Sequence, residues 1–362
     1  MKRLLLFNLA TDADDSILGF TTSWIRALAS HAETIDVISM RTGRIDVPEK
    51  VYVYSVGKEL AYSEARRAIE FYRILFRLLR KYRYDGCFAH MMPLFAVMAA
   101  PFLKIKKIPI VLWYAHKSVT NLLRLATCLV DRVVTSNQKG FRIASPKVHI
   151  IGHGIDTARF VPKEYQGASE SFTVVTVGRI SPIKRLDLLI EAIHLLYRDK
   201  RCRPLQLNIV GGALTDRDRH YMEALKRQIH AKDLDSHVNF IGSIPFERIV
   251  GYYQQADCLV NLSPDGAIDK AVLEAMSCGL IPVICNQSFR EVLGAELSER
   301  WVVGAEPSLI KERFLEAASL SQEARQQIGQ RLRQIVIEKH SLQKWVRQLV
   351  DILASLRREK LL

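Results

Sequence analysis

LVNLSPDGAIDKAVLEAMSCGLIPVI, residues Leu259 to Ile284, reads as a buried strand, a polar turn, a helix and a second buried strand. Asp269 stands where an N-cap is needed, its side chain able to accept from the first unpaired amides of the helix. Gly279 suits the left-handed residue that closes that helix, and Pro282 follows where no helix continues. A strand feeding a helix through a Gly-containing turn directs unpaired N–H groups and the positive end of the helix dipole at one point. That is an anion site, suited to phosphate. One turn on, Glu274 can turn back and accept two vicinal hydroxyls, as a ribose contact does. The same residues also read as a unit that only packs, with Glu274 solvated.

A second stretch bears on both readings. FTVVTVGRISPIKRLDLLIEAI, Phe172 to Ile193, is an apolar strand ending at Gly178, a loop, and a helix with apolar residues at helical spacing. Arg179 and Lys184 fall on the loop and just after it. Two cations at the carboxyl end of a parallel strand, beside a strand–helix anion site, suit a diphosphate. Further strands, LQLNIVGG, HVNFIGSI, CLVNLS and IPVIC, alternate with helical segments, which argues a parallel sheet covered on both faces.

GRISPIKRLDLLIEA and LEAMSCGLIPVI together resemble the nucleotide-sugar-binding half of retaining glycosyltransferases with the GT-B fold, the family 4 group (glycosyl transferases group 1). The resemblance implies two Rossmann-like, doubly wound parallel-sheet domains facing across a cleft. It places Arg179 and Lys184 on the donor diphosphate and Glu274 on the nucleoside ribose. It also puts the backbone around Gly266, Ala267, Ile268, Asp269 and Lys270 against the donor, with Ile244 of the GSIP segment as base contact. Gly211-Gly212 follows a strand, where a tight turn lets backbone approach the nucleotide, and Gly178, which ends FTVVTVG, is also placed on the donor. The family's first glutamate, which binds sugar hydroxyls, would fall at Gly266. That leaves Asp265, Asp269 or the amides near Ala267 and Ile268 to replace it. His116, after PIVLWYAH, matches a histidine that faces the donor sugar; His90 is the alternative. Gly19, near the start of the first helix, matches a glycine on the acceptor-side loop.

The chain has 362 residues, enough for two domains. The reading assigns residues 1–160 to an acceptor-binding domain and 161–341 to the nucleotide-sugar domain. A last helix, within 342–362, crosses back to the first. IIGHGIDTARF followed by FVPKEYQGASES marks the linker, with His153 as a turn residue there. MKRLLLFNLA reads as a first strand, because its apolar run ends at once in TDADDS without a cleavage site. No apolar run reaches the ~18 residues needed to span a bilayer, and Met91 to Leu103 suits a buried helix. Asp12-Ala13-Asp14 spells a metal-diphosphate motif of the other major glycosyltransferase fold, yet it lies in the first loop and reads as loop solvation and capping. Asp216-Arg217-Asp218 reads as a helix start.

Six cysteines, Cys87, Cys128, Cys202, Cys258, Cys278 and Cys285, show no C-x-x-C pair and read as reduced residues of a cytoplasmic protein. Neither a metal nor any other cofactor is expected. The net charge is +14, and residues 1–160 hold 24 Lys and Arg against 13 Asp and Glu. Much of this excess lies in SEARRAIEFYRILFRLLRKYRY, Ser63 to Tyr84. There Ile69, Tyr72, Leu75, Phe76, Leu79 and Tyr82 are taken as the apolar stripe of an amphipathic helix. Its basic face is either solvated or a peripheral contact with an anionic membrane at the inner face of the cytoplasmic membrane, extended by Lys104, Lys106 and Lys107. Nucleic-acid module signatures are absent.

The function expected is metal-independent, retaining transfer of a hexosyl group from a nucleotide-diphosphate sugar to a lipid-linked or glycan acceptor, in cell-envelope polysaccharide or glycolipid synthesis. The alternatives are a nucleotide-sugar epimerase of the same fold and a non-catalytic sugar-nucleotide binder.

Overall fold

The structure is a computed structural model that describes residues 1–116, 118–163, 171–199 and 204–361. Positions 164–170 of the expected linker, and Cys202, lie outside the described residues. The chain divides into two units, Met1–Gly154 with His340–Leu362, and Ile155–Lys339.

The first unit runs β1 (Arg3–Thr11), α1 (Phe20–Ala29), β2 (Thr34–Thr42), β3 (Val51–Ser55), α2 (Glu64–Lys81), β4 (Gly86–His90), α3 (Pro93–Ile105), β5 (Ile110–Trp113), α4 (Asn121–Leu129), β6 (Arg132–Thr135) and β7 (Val148–Ile150). The strands form a seven-stranded sheet in the order β3-β2-β1-β4-β5-β6-β7, and every pairing is parallel. Successive side chains of a strand point to opposite faces. In β1, accordingly, Leu5 and Phe7 join the core under α2, α3 and α4, while Leu4 and Leu6 join α1 and the C-terminal helix Leu342–Leu361. Trp345 of that helix is fully buried, its ring 4.1 Å from that of Trp24, whose Nε1 donates to the Gly154 carbonyl at 2.8 Å. The acidic first loop holds itself together: Asp12 accepts from the Asp14 and Arg44 amides, and Asp14 pairs with Arg44.

The buried face of α2 differs from the expected stripe. Phe71, Ile74, Leu75, Leu78 and Leu79 are buried, Ile69 is 65% exposed, and Tyr82 lies past the helix end. The helix is thus rotated by about one position, which lays Tyr72 and Phe76 along the seam with Phe102 of α3. β7 was not foreseen. It is three residues long with His149 and Ile150 exposed, so it carries no buried alternation to read.

The second unit continues with β8 (Phe172–Val177), α5 (Leu186–Tyr197), β9 (Leu205–Val210), α6 (Asp216–His230), β10 (Val238–Gly242), α7 (Ile249–Gln255), β11 (Cys258–Asn261), α8 (Lys270–Ser277) and β12 (Ile281–Ile284). Its five parallel strands are ordered β10-β9-β8-β11-β12. Helices Pro307–Ser319 and Gln322–His340 follow. The division between units falls at Gly154–Ile155, not at 160–161. Residues Ile155 to Phe160 are bound into the second unit: Arg333 donates to the carbonyls of Thr157, Phe160 and Ser277, at 2.9, 2.7 and 2.6 Å. The Phe160 ring packs edge-on against Phe246 and Tyr253.

Candidate functional site

Strand order in the second sheet reverses between β8 and β11, the point at which ligands collect at the carboxyl ends of doubly wound sheets. Of the residues singled out from sequence, Gly178, Arg179 and Lys184 lie on the loop that leaves β8, and Gly266, Ala267, Ile268 and Asp269 on the loop that leaves β11. Gly178 follows β8 with φ +140°, and Gly211 follows β9 with φ +141°. A Cβ on Gly211 would stand 1.9 Å from the Gly178 carbonyl oxygen, so only glycine lets the two strand ends cross so closely. Backbone bonds then knit the edge: Gly178 N–H to Val210, Ile180 N–H to Gly212, and Gly211 N–H to Gly242.

Beyond Gly178, Ser181 leads into a short 3₁₀ turn, Pro182–Lys184, and Arg185 takes a left-handed φ of 51° to enter α5. This turn lays the Lys184 side chain over Gly178 and carries its ammonium to Asp269. Asp269 is the N-cap of α8, and its Oδ1 accepts from the Ala271 amide at 3.2 Å. Its Oδ2 accepts from Lys184 Nζ and from Asn261 Nδ2, the latter at 2.8 Å. Burial alone would raise the Asp269 carboxyl, but Lys184, Asn261 and the helix amide outweigh it and hold the group below its usual range.

The turn before α8 is pinned from the loop after β12. Ser288 Oγ donates to the Gly266 carbonyl at 2.8 Å, Asn286 Nδ2 to the Ala267 carbonyl at 3.0 Å, and the Gln287 amide to Asp265 at 2.7 Å. In a planar trans peptide the N–H points opposite to the C=O. Anchoring these carbonyls therefore fixes the Ala267 and Ile268 amides in the reverse direction.

On α8, Lys270 and Glu274 are one turn apart. Glu274 is 3% exposed, and its Oε2 accepts from the buried Tyr253 hydroxyl at 3.2 Å. Burial pushes the Glu274 carboxyl up to about 7, against the opposing pull of Lys270 and Tyr253. Burial likewise lowers the Lys270 ammonium to about 7, against Glu274 and Asp156. Glu274 is thus a core-facing group, not a solvated one.

Two sequence expectations are modified. Arg179 and Lys184 do not pair at the same helix start. The Arg179 Nε lies 3.8 Å from Asp218, whose carboxylate closes the capping box of α6 with Thr215, while Lys184 serves α8. His116 is not at a strand end: β5 stops at Trp113, and His116 lies exposed in the loop with Nδ1 accepting from the Ser118 amide at 3.1 Å. His90 is buried, its Nδ1 3.0 Å from Asn8 and its ring against Phe20 and Trp24. Ile244 is half-buried two residues past β10, and Gly19 is the N-cap residue of α1. His153 packs in the first unit, 6.2 Å from Trp113.

Asn261, Tyr253, Asn286 and Ser288 were not foreseen as parts of this site. Only Asn261, polar at the end of an apolar strand, gives any local hint.

The family model described as "Glycosyl transferases group 1" matches residues 157–335. That stretch, just under half of the chain, is similar to this family. The GDP-mannose-dependent alpha-(1-6)-phosphatidylinositol monomannoside mannosyltransferase of Mycolicibacterium smegmatis is 31% identical over 151 residues, 37% of this chain and 37% of that protein. The chain spans about a third of the length of the curated relatives it matches. Among solved structures, sucrose-phosphate synthase from Thermosynechococcus elongatus superposes with a TM-score of 0.80 at 15% identity, covering 99% of this chain and 100% of that one. Anabaena HepE in complex with UDP superposes with a TM-score of 0.73 at 18% identity, covering 98% and 100%. The fold is GT-B, and the stretch that matches the family model lies within the unit that carries the β8–β11 site.

Proposed function

We propose that the chain is a glycosyltransferase that uses a nucleotide-diphosphate sugar as donor. The observation that carries this reading is Lys184 brought to the amino end of α8 at the strand-order reversal, with the Ala267 and Ile268 amides fixed beside it. Breaking the anomeric C–O bond leaves developing negative charge on the departing diphosphate. A cation and helix-start amides already in place stabilise that charge without reorganising. Arg179, held at the start of α6, is the second cation in reach of the same sheet edge. The UDP bound by HepE and the transferases among the relatives support this donor class.

On this reading transfer retains the anomeric configuration and uses Lys184 and Arg179 in place of a metal. The acceptor is a lipid-linked or glycan hydroxyl, His116 and Gly19 serving the sugar and acceptor sides. Ile244 and Gly211 border the base. A second reading, a non-catalytic sugar-nucleotide binder, is favoured by one observation: Lys184 is already engaged by Asp269. Thermal melts with UDP, GDP and their sugars test the donor, since a selective ligand stabilises by ~2.7 kcal/mol at 100 times its Kd. Release of free nucleotide only when an acceptor is added then separates transfer from mere binding and from epimerisation.

A further inference from the structure

We propose that the seam between the carboxyl halves of α2 and α3 docks on an anionic phospholipid bilayer, taking an acyl segment into an apolar slot while surrounding cations engage headgroup phosphates. The slot has a volume of about 220 Å³ and is lined by Phe76, Leu79 and Arg80 of α2 with Phe102, Ile105 and Lys106 at the end of α3. Ile105 at its rim is 82% exposed, an apolar side chain that nothing in its own unit covers.

Charge selects the occupant. Arg80, Arg83, Lys104, Lys106 and Lys107 are exposed and have no ion-pair partner among the described residues. The acids of α2 lie in its first half and are spoken for, Glu64 with Arg67 and Glu70 with Arg73. The segments ILFRLLRKYRY and FLKIKKI contain no acid at all. Unpaired cations at the opening, Arg80 and Lys106, with Arg83, Lys104 and Lys107 close by in sequence, match an amphiphile with a negative head. They do not match single-stranded nucleic acid, which would need free aromatic faces. Phe76 and Phe102 meet edge to face at 4.7 Å, and Tyr72 stacks on Phe76 at 5.7 Å. No described helix is long and apolar enough to cross a membrane.

The test is co-sedimentation of the full chain with phosphatidylcholine vesicles and with vesicles that also contain phosphatidylglycerol. Binding is expected only to the anionic vesicles and weakens with added salt. Ile105→Ser, at an exposed position, should leave the melting temperature unchanged and weaken binding about tenfold. Arg80→Gln and Lys106→Gln should each weaken it about fivefold. Absence of vesicle binding, binding unaffected by Ile105→Ser, or equal affinity for a single-stranded oligonucleotide would overturn the proposal. The outcome is independent of the donor site, which the nucleotide melts probe separately.

Discussion

Lys184 and Asp269, 85 residues apart in sequence, form an ion pair across the β8–β11 reversal, joining the loop after one strand to the N-cap of the helix after the other. The pair sits at the amino end of α8, so on the proposed function a donor diphosphate would have to share or displace the Asp269 carboxylate.

Removing Lys184 should silence transfer while the fold persists. A positioned donor to developing charge contributes roughly 10²–10³ in kcat. Lys184→Ala is therefore expected to lose at least about 100-fold in turnover with an unchanged far-UV spectrum. Lys184→Arg should recover only part, because a planar guanidinium does not reproduce the compact ammonium that reaches Asp269. Near-normal turnover in the alanine variant would exclude Lys184 from the leaving-group role.

Asp269→Asn separates the cap from the charge. Asparagine caps a helix about as well as aspartate, whereas alanine forfeits ~1 kcal/mol. If Asp269 competes with the donor for Lys184, the asparagine variant should bind nucleoside diphosphate about tenfold more tightly, a gain of ~1.4 kcal/mol by calorimetry. Weaker binding would instead mean that Asp269 contacts the ligand, as a stand-in for the glutamate that Gly266 replaces.

Two glycines give opposite expectations for stability. Gly211→Ala forces a methyl onto the Gly178 carbonyl at a φ of +141°, and should cost ~2–3 kcal/mol in urea unfolding. Gly251 lies in α7 with open space around its Cα, so Gly251→Ala should stabilise by about 0.5–1 kcal/mol. A neutral Gly211→Ala would mean that the two strand ends do not approach as described.

These sites show what sequence carries and what it does not. The parallel sheets were legible because strands buried on both faces, such as FTVVTV and CLVN, leave apolar runs bounded by glycine or polar turns. Asp269 was legible as a cap because capping is local. Its partners were not: Asn261 and Lys184 reach it only through strand order, and Tyr253 looks like any helix aromatic until Glu274 is found against it. The phase of α2 misled for a related reason. Basic residues flank the apolar stripe on both sides, so the pattern alone does not say which edge turns inward; Ile69 turned out.

Glu274 and Lys270 together predict an unusual pH profile. Burial raises the Glu274 carboxyl from 4.5 to about 7, so the folded state holds a proton that the unfolded chain has released over that interval, and stability falls as pH rises through it. Burial lowers Lys270 from 10.5 to about 7, so the unfolded chain holds the extra proton above that point, and stability is regained as pH climbs from about 7. The pair therefore places a stability minimum near neutrality. Glu274→Gln keeps an acceptor for the Tyr253 hydroxyl but abolishes the falling limb, a contribution on the order of 3 kcal/mol at most. It also strips Lys270 of its nearer carboxylate, extending the rising limb below neutrality. Urea midpoints at about pH 5, 6 and 7 should decline for the parent and stay level or climb for the variant. Parallel profiles would mean that Glu274 ionises as an ordinary solvated carboxylate, free to meet a ribose without first surrendering a proton.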